Sequence, residues 1–152
     1  MVASWDAVRE VPYISLNPKQ KEQFNFQKIA ATLAEYGFNC IKLADDWMGA
    51  GFLAYHVNKE ITLKVQPKSR LVIDGKYTGK DIWMAFPYKG YRYLIKHDEL
   101  VRKAGESTRW LKSPSWKGDQ HWYSSDAINK TLLDSLDENR IGPVYGSGPP
   151  VD

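Results

Sequence analysis

The chain has 152 residues, of which 43% are hydrophobic and 26% charged, a composition that is typical of one globular domain and excludes wholesale disorder. No apolar run approaches the roughly 18 residues needed to cross a bilayer, and a single cysteine excludes an internal disulfide. The net charge of +3 is modest, but its distribution along the chain is uneven.

The N-terminal part predicts an irregular lead-in and one helix. Pro12 and Pro18 interrupt any pattern over residues 1–18. Apolar residues then recur at the three–four spacing of a helical face between residues 26 and 34, and Gly37 follows as a stop signal.

The next segment predicts three strands. Residues 38–43 and 49–57 suit a pleated surface, and Asp45-Asp46 between them suggests a turn. Residues 60–73 alternate between apolar and polar side chains, so that 49–57 and 60–73 are expected to form a hairpin.

The second half predicts two more strands, 82–86 and 91–95, followed by helices. Asp98 is expected to cap a short helix over 99–103 that ends at Gly105, and Ser125 to cap a last helix over 126–139. Residues 106–122 suggest a long loop, and residues 142–152, rich in Pro and Gly, suggest a disordered tail. We therefore predict one α/β domain over residues 19–141, with a mixed or antiparallel central sheet of about five strands flanked by helices.

Positive charge is concentrated in the middle of the chain. Residues 59–117 hold 14 Lys/Arg against 6 Asp/Glu, a local excess of +8. A polyanion-binding face needs such an excess, although solvated strand and loop charges would give the same count. Because the N-terminus lacks the basic start and apolar core of a secretory signal, we expect a cytoplasmic protein without membrane association.

Cations and aromatic rings alternate between residues 106 and 123. Flat rings can stack on bases while neighbouring cations meet phosphates, and Trp side chains can equally anchor a loop to the core. Both interpretations stay open. The predicted nucleic-acid contacts in the basic segment are Lys64, Arg70, Lys76, Lys80, Arg109, Lys112 and Lys117.

One stretch resembles a known family. The run Gly49-Ala50-Gly51-Phe52, preceded by a helix and a strand and followed by Val65-Gln66-Pro67-Lys68, is similar to the PD-(D/E)xK (restriction-endonuclease-like) nuclease superfamily, and to its small bacterial and phage members. These carry a Gly-Ala-Asp-Phe hairpin strand paired with Val-Gln-x-Lys. The resemblance covers residues 24–141 and implies a restriction-endonuclease-like fold.

The resemblance also implies chemistry. In such a site Mg²⁺ or Mn²⁺, held by carboxylate oxygens, activates water for phosphodiester hydrolysis, and a Lys stabilises the developing charge. It places the catalytic pair at Gln66 and Lys68, and the main metal ligand at the position of Gly51, which has no side chain. Asp45 or Asp46 could supply the missing carboxylate, as could Glu60 at the start of the partner strand or the helix residues Glu22 or Glu35.

Three hypotheses follow. The first is a Mg²⁺-dependent DNA endonuclease or an inactive relative of one, acting on double-stranded DNA. The second is a non-catalytic DNA- or RNA-binding protein with a regulatory or defence-related role, which the absence of a carboxylate at Gly51 favours over the first. The third is a homodimeric protein-interaction module.

Overall fold

A computed structural model describes residues 4–143 of the chain. Its helices and strands are, in chain order, α1 (Pro18–Ala34), β1 (Phe38–Trp47), β2 (Ala50–His56), β3 (Thr62–Pro67), β4 (Leu71–Asp74), β5 (Ile82–Tyr88), β6 (Tyr91–Lys96), α2 (His97–Ser107), α3 (Pro114–Lys117), β7 (Trp122–Ser125), α4 (Lys130–Ser135) and β8 (Arg140–Pro143). Across this described part of the chain, the helices are too short or too polar to pass through a lipid bilayer.

The central sheet has six strands in the order β1-β2-β3-β5-β6-β8. Neighbouring strands run antiparallel except β3 and β5, which are parallel. A second, two-stranded sheet pairs β4 with β7. The predicted α/β class with a mixed, mostly antiparallel central sheet is confirmed, with six strands in place of about five.

Helix α1 contains the predicted apolar face of residues 26–34 and begins eight residues earlier, at Pro18. Its N-terminus is capped in both directions: Asn17 Oδ1 accepts from the Gln20 N–H, and Gln20 Oε1 accepts from the Asn17 N–H. Pro18 occupies the first turn. Gly37 follows the helix with φ +85°, the left-handed conformation that glycine adopts at helix ends.

The ends of the chain partly fall outside the described residues. The predicted irregular lead-in, 1–18, contains two short 3-10 turns, Trp5–Ala7 and Tyr13–Ser15, and its last residue already belongs to α1. Of the tail predicted to be disordered, 142–143 belong to β8, and 144–152 lie outside the described residues.

The sheet has a hydrophobic core on each face. Ala85 and Leu94 pack with α1 on one face, while their neighbours Met84 and Ile95 pack with α2 and α4 on the other. Successive residues of a strand point to opposite faces, so the near-continuous apolar runs of β5 and β6 contribute side chains to both cores.

The prediction of a turn at Asp45-Asp46 is wrong. Strand β1 continues through both residues to Trp47, and the chain reverses at Met48 and Gly49, whose φ values of 52° and 88° suit a two-residue hairpin turn. The register of β1 against β2 shifts between residues 42 and 47, so this end of the strand is irregular.

The predicted 60–73 strand is two strands in two different sheets. Strand β3 forms the expected hairpin with β2 and ends at Pro67, and β4 begins at Leu71 and pairs with β7. The Lys68 N–H still donates to the Ala85 carbonyl at 2.9 Å, and the chain bends at 69–70. Alternation continues across the bend, so it could not reveal the change of sheet.

The predicted helix boundaries beyond residue 96 are also corrected. Helix α2 begins at His97, runs through Gly105 and ends at Ser107; Asp98 does not cap it but accepts from the Gly79 N–H. Helix α4 is shorter than the predicted 126–139 and is capped by Asn129, while Ser125 belongs to β7.

The predicted loop at 106–122 is largely structured. It contains the end of α2, a 3-10 turn at Trp110–Lys112, helix α3 and the first residue of β7. Trp110 stacks on Tyr123 with ring centroids 4.9 Å apart, and Trp110 and Trp116 pack against the core. These two rings anchor the segment, and Trp122 stays 39% exposed.

The buried side chains of His97 and Lys103 both have hydrogen-bond partners. His97 Nε2 accepts from the Asp74 N–H at 2.9 Å, and its Nδ1 lies 3.2 Å from Asp98 Oδ1. The Lys103 ammonium donates to the Ser135 carbonyl and, at 2.7 Å, to Glu138 Oε1.

Candidate functional site

A cavity of about 200 Å³ lies between α1 and one end of strands β1, β2 and β3. We call it the α1 pocket. Its lining residues are Glu22, Phe26, Lys42, Asp46, Gly51, Phe52, Gln66 and Pro67.

Gly51 and Gln66 face each other in this pocket. The neighbouring residues Phe52 and Val65 are paired across β2 and β3, so the antiparallel register sets Gly51 opposite Gln66. A Cβ at Gly51 would lie 3.2 Å from Gln66 Oε1 and 3.0 Å from Pro67 Cδ. Gln66 is only 9% exposed, and its Oε1 is buried without a hydrogen-bond partner. A buried amide oxygen without a partner is costly, so Gln66 Oε1 is an acceptor that a hydrogen-bond donor entering the pocket would satisfy.

The acidic groups of the pocket come from α1 and β1. Asp46 lines it, as one of the two predicted replacement ligands, whereas Asp45 is exposed and lies outside the lining. Of the two helix residues weighed, Glu22 lines the pocket and Glu35 does not.

Lys42 was not predicted as part of the site. Its ammonium lies 3.1 Å from Glu22 Oε1, and both side chains line the pocket. Lys42 stands in a strand with no flanking motif, so only the packing of α1 against β1 identifies it.

The residues of the α1 pocket do not fit the Mg²⁺ that the family resemblance implies. Proteins usually hold Mg²⁺ with one or two carboxylates, but Gly51 offers no side chain at the position of the family's main ligand, and Glu22 is paired with a resident cation, Lys42. Asp46 is then the one carboxylate of the lining without an ion pair among the described residues. The Gln66 oxygen is buried against Gly51. Within residues 4–143 no group of three or more His, Cys, Asp or Glu side chains could hold a metal.

The second member of the predicted catalytic pair, Lys68, does not line the α1 pocket. Its Nζ lies 5.8 Å from the centre of the Tyr77 ring, on which Lys76 also lies, at 5.1 Å. Gln66 and Lys68 are two residues apart in the chain, and of the two only Gln66 lines the pocket.

Several of the predicted nucleic-acid contacts gather around the segment that follows β3. The Lys64 ammonium donates to the Lys80 carbonyl, which brings these two residues together. Lys76 lies 3.6 Å from Asp74, and although burial acts in the opposite direction, Tyr77 and Asp74 raise the pKa of Lys76. Arg109, Lys112 and Lys117 are exposed on the segment that Trp110 and Trp116 anchor.

Most of the cations in this region are free of carboxylate partners. Lys96, Arg102 and Lys103 are paired with acidic side chains. In the described part of the chain, ion pairs are absent from Lys68, Arg70, Lys80, Lys89, Arg109, Lys112 and Lys117. These seven cations are thus available to an anionic partner, whereas four other cations of the segment are held in ion pairs and Arg92 is buried.

Comparison with known proteins gives one structural likeness. The chain is similar to the solved structure of a bacterial homing endonuclease, I-Ssp6803I, with a TM-score of 0.45 and 18% sequence identity over 75% of this chain and 78% of that chain. No protein-family model and no curated protein matches the sequence. The function of the present chain is therefore argued from its own side chains.

Proposed function

We propose that this protein binds nucleic acid, with double-stranded DNA as the first candidate, and that it is a non-cleaving relative of Mg²⁺-dependent endonucleases. The observation that carries the proposal is the set of unpaired cations from Lys68 to Lys117, in a segment that runs directly out of the strand carrying Gln66. Phosphate contacts dominate the affinity of proteins for nucleic acid and need such cations.

The second half of the proposal, the absence of cleavage, rests on the α1 pocket. It resembles a nuclease site in having acidic groups from a helix and a strand beside Gln66. Because Gly51 has no side chain and Glu22 is paired with Lys42, too few free carboxylate oxygens remain to hold a metal ion.

Binding is tested by fluorescence anisotropy of a labelled DNA duplex over a range of salt concentrations. We expect the affinity to fall steeply with salt, and Lys80→Ala to weaken binding severalfold and to lower the salt slope by about one. The matched control is Lys130→Ala, which removes an exposed Lys that is paired with Asp134 on α4. Binding that is absent, or that ignores salt, would contradict the proposal.

Cleavage is tested with supercoiled plasmid in Mg²⁺ and in Mn²⁺. We expect the native protein to leave the plasmid intact. Nicking that disappears in Lys68→Ala would replace the proposal with the endonuclease hypothesis. The expected homodimer and cytoplasmic location stay predictions, and light scattering of the purified protein checks the first.

A further inference from the structure

A second cavity, of about 330 Å³, lies at the β5–β6 hairpin. We call it the hairpin pocket. Its walls are residues 69–70 after β3, residues 87–89 at the hairpin and residues 125–126 at the end of β7. This volume is at the lower end of the range of roughly 300–1,000 Å³ that small-molecule sites occupy, which suits one nucleotide unit better than a larger ligand.

The pocket carries a surplus of positive charge. Arg70 and Lys89 line it, and within residues 4–143 neither forms an ion pair or a hydrogen bond to another side chain. Asp126 lines it as well, also without an ion pair in that range. Two cations against one carboxylate favour an anionic ligand, and the fork of an Arg matches the oxygens of a phosphate.

The apolar part of the pocket is a fixed aromatic surface. The Tyr88 hydroxyl donates to the Ile128 carbonyl at 3.3 Å and accepts from the Ile128 N–H at 3.2 Å. The hydroxyl is thereby held in place, and the Lys89 ammonium lies over the Tyr88 ring, 5.6 Å from its centre, so a ligand in the pocket would meet this ammonium together with the rings of Tyr88 and Pro87. Flat, immobile rings of this kind stack on bases, whatever the base.

The carboxylate of Asp126 favours a nucleotide over inorganic phosphate as the ligand of the pocket. A carboxylate only accepts hydrogen bonds and repels a second anion, so it would weaken a site for inorganic phosphate. A nucleobase carries N–H donors that a carboxylate can accept. The combination of two cations, an aromatic surface and one acceptor therefore fits a phosphate joined to a base.

The two pockets lie on one continuous stretch of chain. Gln66 and Pro67 line the α1 pocket, Ser69 and Arg70 line the hairpin pocket, and Lys68 lies between them. Three residues of extended chain span at most about 10 Å, and one nucleic-acid strand advances about 3.4 Å per nucleotide. The two pockets nevertheless belong to different faces of the sheet, since Phe26 and Phe52 of the α1 pocket pack in the core under α1 and Tyr88 of the hairpin pocket packs against the other core, so the hairpin pocket is considered by itself.

We infer that the hairpin pocket holds one unpaired nucleotide of a bound strand, with its phosphate between Arg70 and Lys89 and its base against Pro87 and Tyr88. The inference rests on the proposed nucleic-acid binding. A concave pocket can receive a base only when that base has left the helical stack, so the protein prefers nucleic acid with an unpaired position over a perfect duplex.

The experiment measures anisotropy with three probes of one sequence: a perfect duplex, the same duplex with one bulged nucleotide, and the same bulge without its base. We expect the bulged duplex to bind roughly tenfold more tightly than the perfect duplex, and the abasic bulge to lose most of that gain.

The variants test which side chains produce the gain. Arg70→Ala is expected to weaken binding of the bulged duplex more than of the perfect duplex. Asp126→Ala is expected to make the affinities for the bulged and abasic probes equal, without weakening binding of the perfect duplex. Lys130→Ala is the matched control, because it removes an exposed cation on α4, which contributes no residue to the hairpin pocket.

The outcomes separate the two claims. Equal binding of all three probes, or a gain that survives in the abasic probe or in both pocket variants, would overturn the hairpin-pocket inference and leave the proposed function standing. Failure to bind any of the probes would overturn both.

Discussion

Replacing Gly51 with Asp is the change that most directly probes the α1 pocket. The backbone at Gly51 does not have a positive φ, so a side chain is compatible with its conformation. A Cβ there would lie 3.0 Å from Pro67 Cδ and 3.2 Å from Gln66 Oε1, and both neighbours would have to give by a few tenths of an ångström. Overpacking of this kind costs about 1–3 kcal/mol, which lowers Tm by roughly 2–12 °C in a domain of this size.

The new carboxylate would join Glu22 and Asp46 in one small cavity. Their mutual repulsion adds to the loss of stability, and a divalent cation would relieve it. A cation that binds only the folded state at about 100 times its Kd stabilises that state by about 2.7 kcal/mol, or roughly 5–11 °C in Tm. We therefore expect Mg²⁺ or Mn²⁺ to raise the Tm of Gly51→Asp towards that of the native protein, and to leave the Tm of the native protein unchanged.

The assay is thermal unfolding, followed by circular dichroism, of the native protein, Gly51→Asp and Gly51→Asn in EDTA and in each metal. The Asn variant has the same shape without the charge, so it separates overpacking from metal binding. Equal metal responses in all three proteins would refute this account of the pocket. A metal-dependent gain confined to Gly51→Asp would justify a search for DNA cleavage by that variant.

Three further predictions concern buried groups. Burial lowers the pKa of His97 despite the nearby Asp98. Below about pH 6.5 the histidine is protonated more readily in the unfolded chain than in the folded one, so the free energy of unfolding should decrease as the pH falls, with no effect above that pH. The urea midpoint of His97→Gln should therefore depend less on pH than that of the native protein, and an identical dependence would contradict the assignment. Burial raises the pKa of Cys40 from 9.0 to about 11, so thiol-labelling reagents should react with it roughly 100-fold more slowly in the native protein than after unfolding, and equal rates would refute this. Lys103→Met should cost about 1–3 kcal/mol in urea unfolding, because it leaves the Ser135 carbonyl without its donor, and a change below about 0.5 kcal/mol would show that the buried ammonium contributes nothing net.

Local sequence signals were sufficient where the structure is locally determined. The apolar face of helix α1, its stop at Gly37 and the β2–β3 and β5–β6 hairpins follow from periodicity and turn residues within each segment. The errors occur where strand pairing depends on residues that are distant in the sequence. Residues 60–73 alternate throughout, but β3 pairs with β2 and β5 while β4 pairs with β7, which is about 50 residues away.

The candidate site divides in the same way. The motif at residues 49–68 identified Gly51 and Gln66 as neighbours, because a hairpin fixes its own register. It could not reveal that Glu22 pairs with Lys42, since that contact depends on how α1 lies on β1, nor that Lys68 points to Tyr77.

The sequence by itself thus determined the α/β class, the positive surplus of residues 59–117 and the absence of a carboxylate at Gly51. These are properties of composition, of short-range periodicity and of single positions. Only the tertiary structure decided which charges remain unpaired and which side chains share a cavity. The hairpin pocket joins segments from residues 69, 87 and 125, and its existence depends on packing between elements that no local pattern encodes.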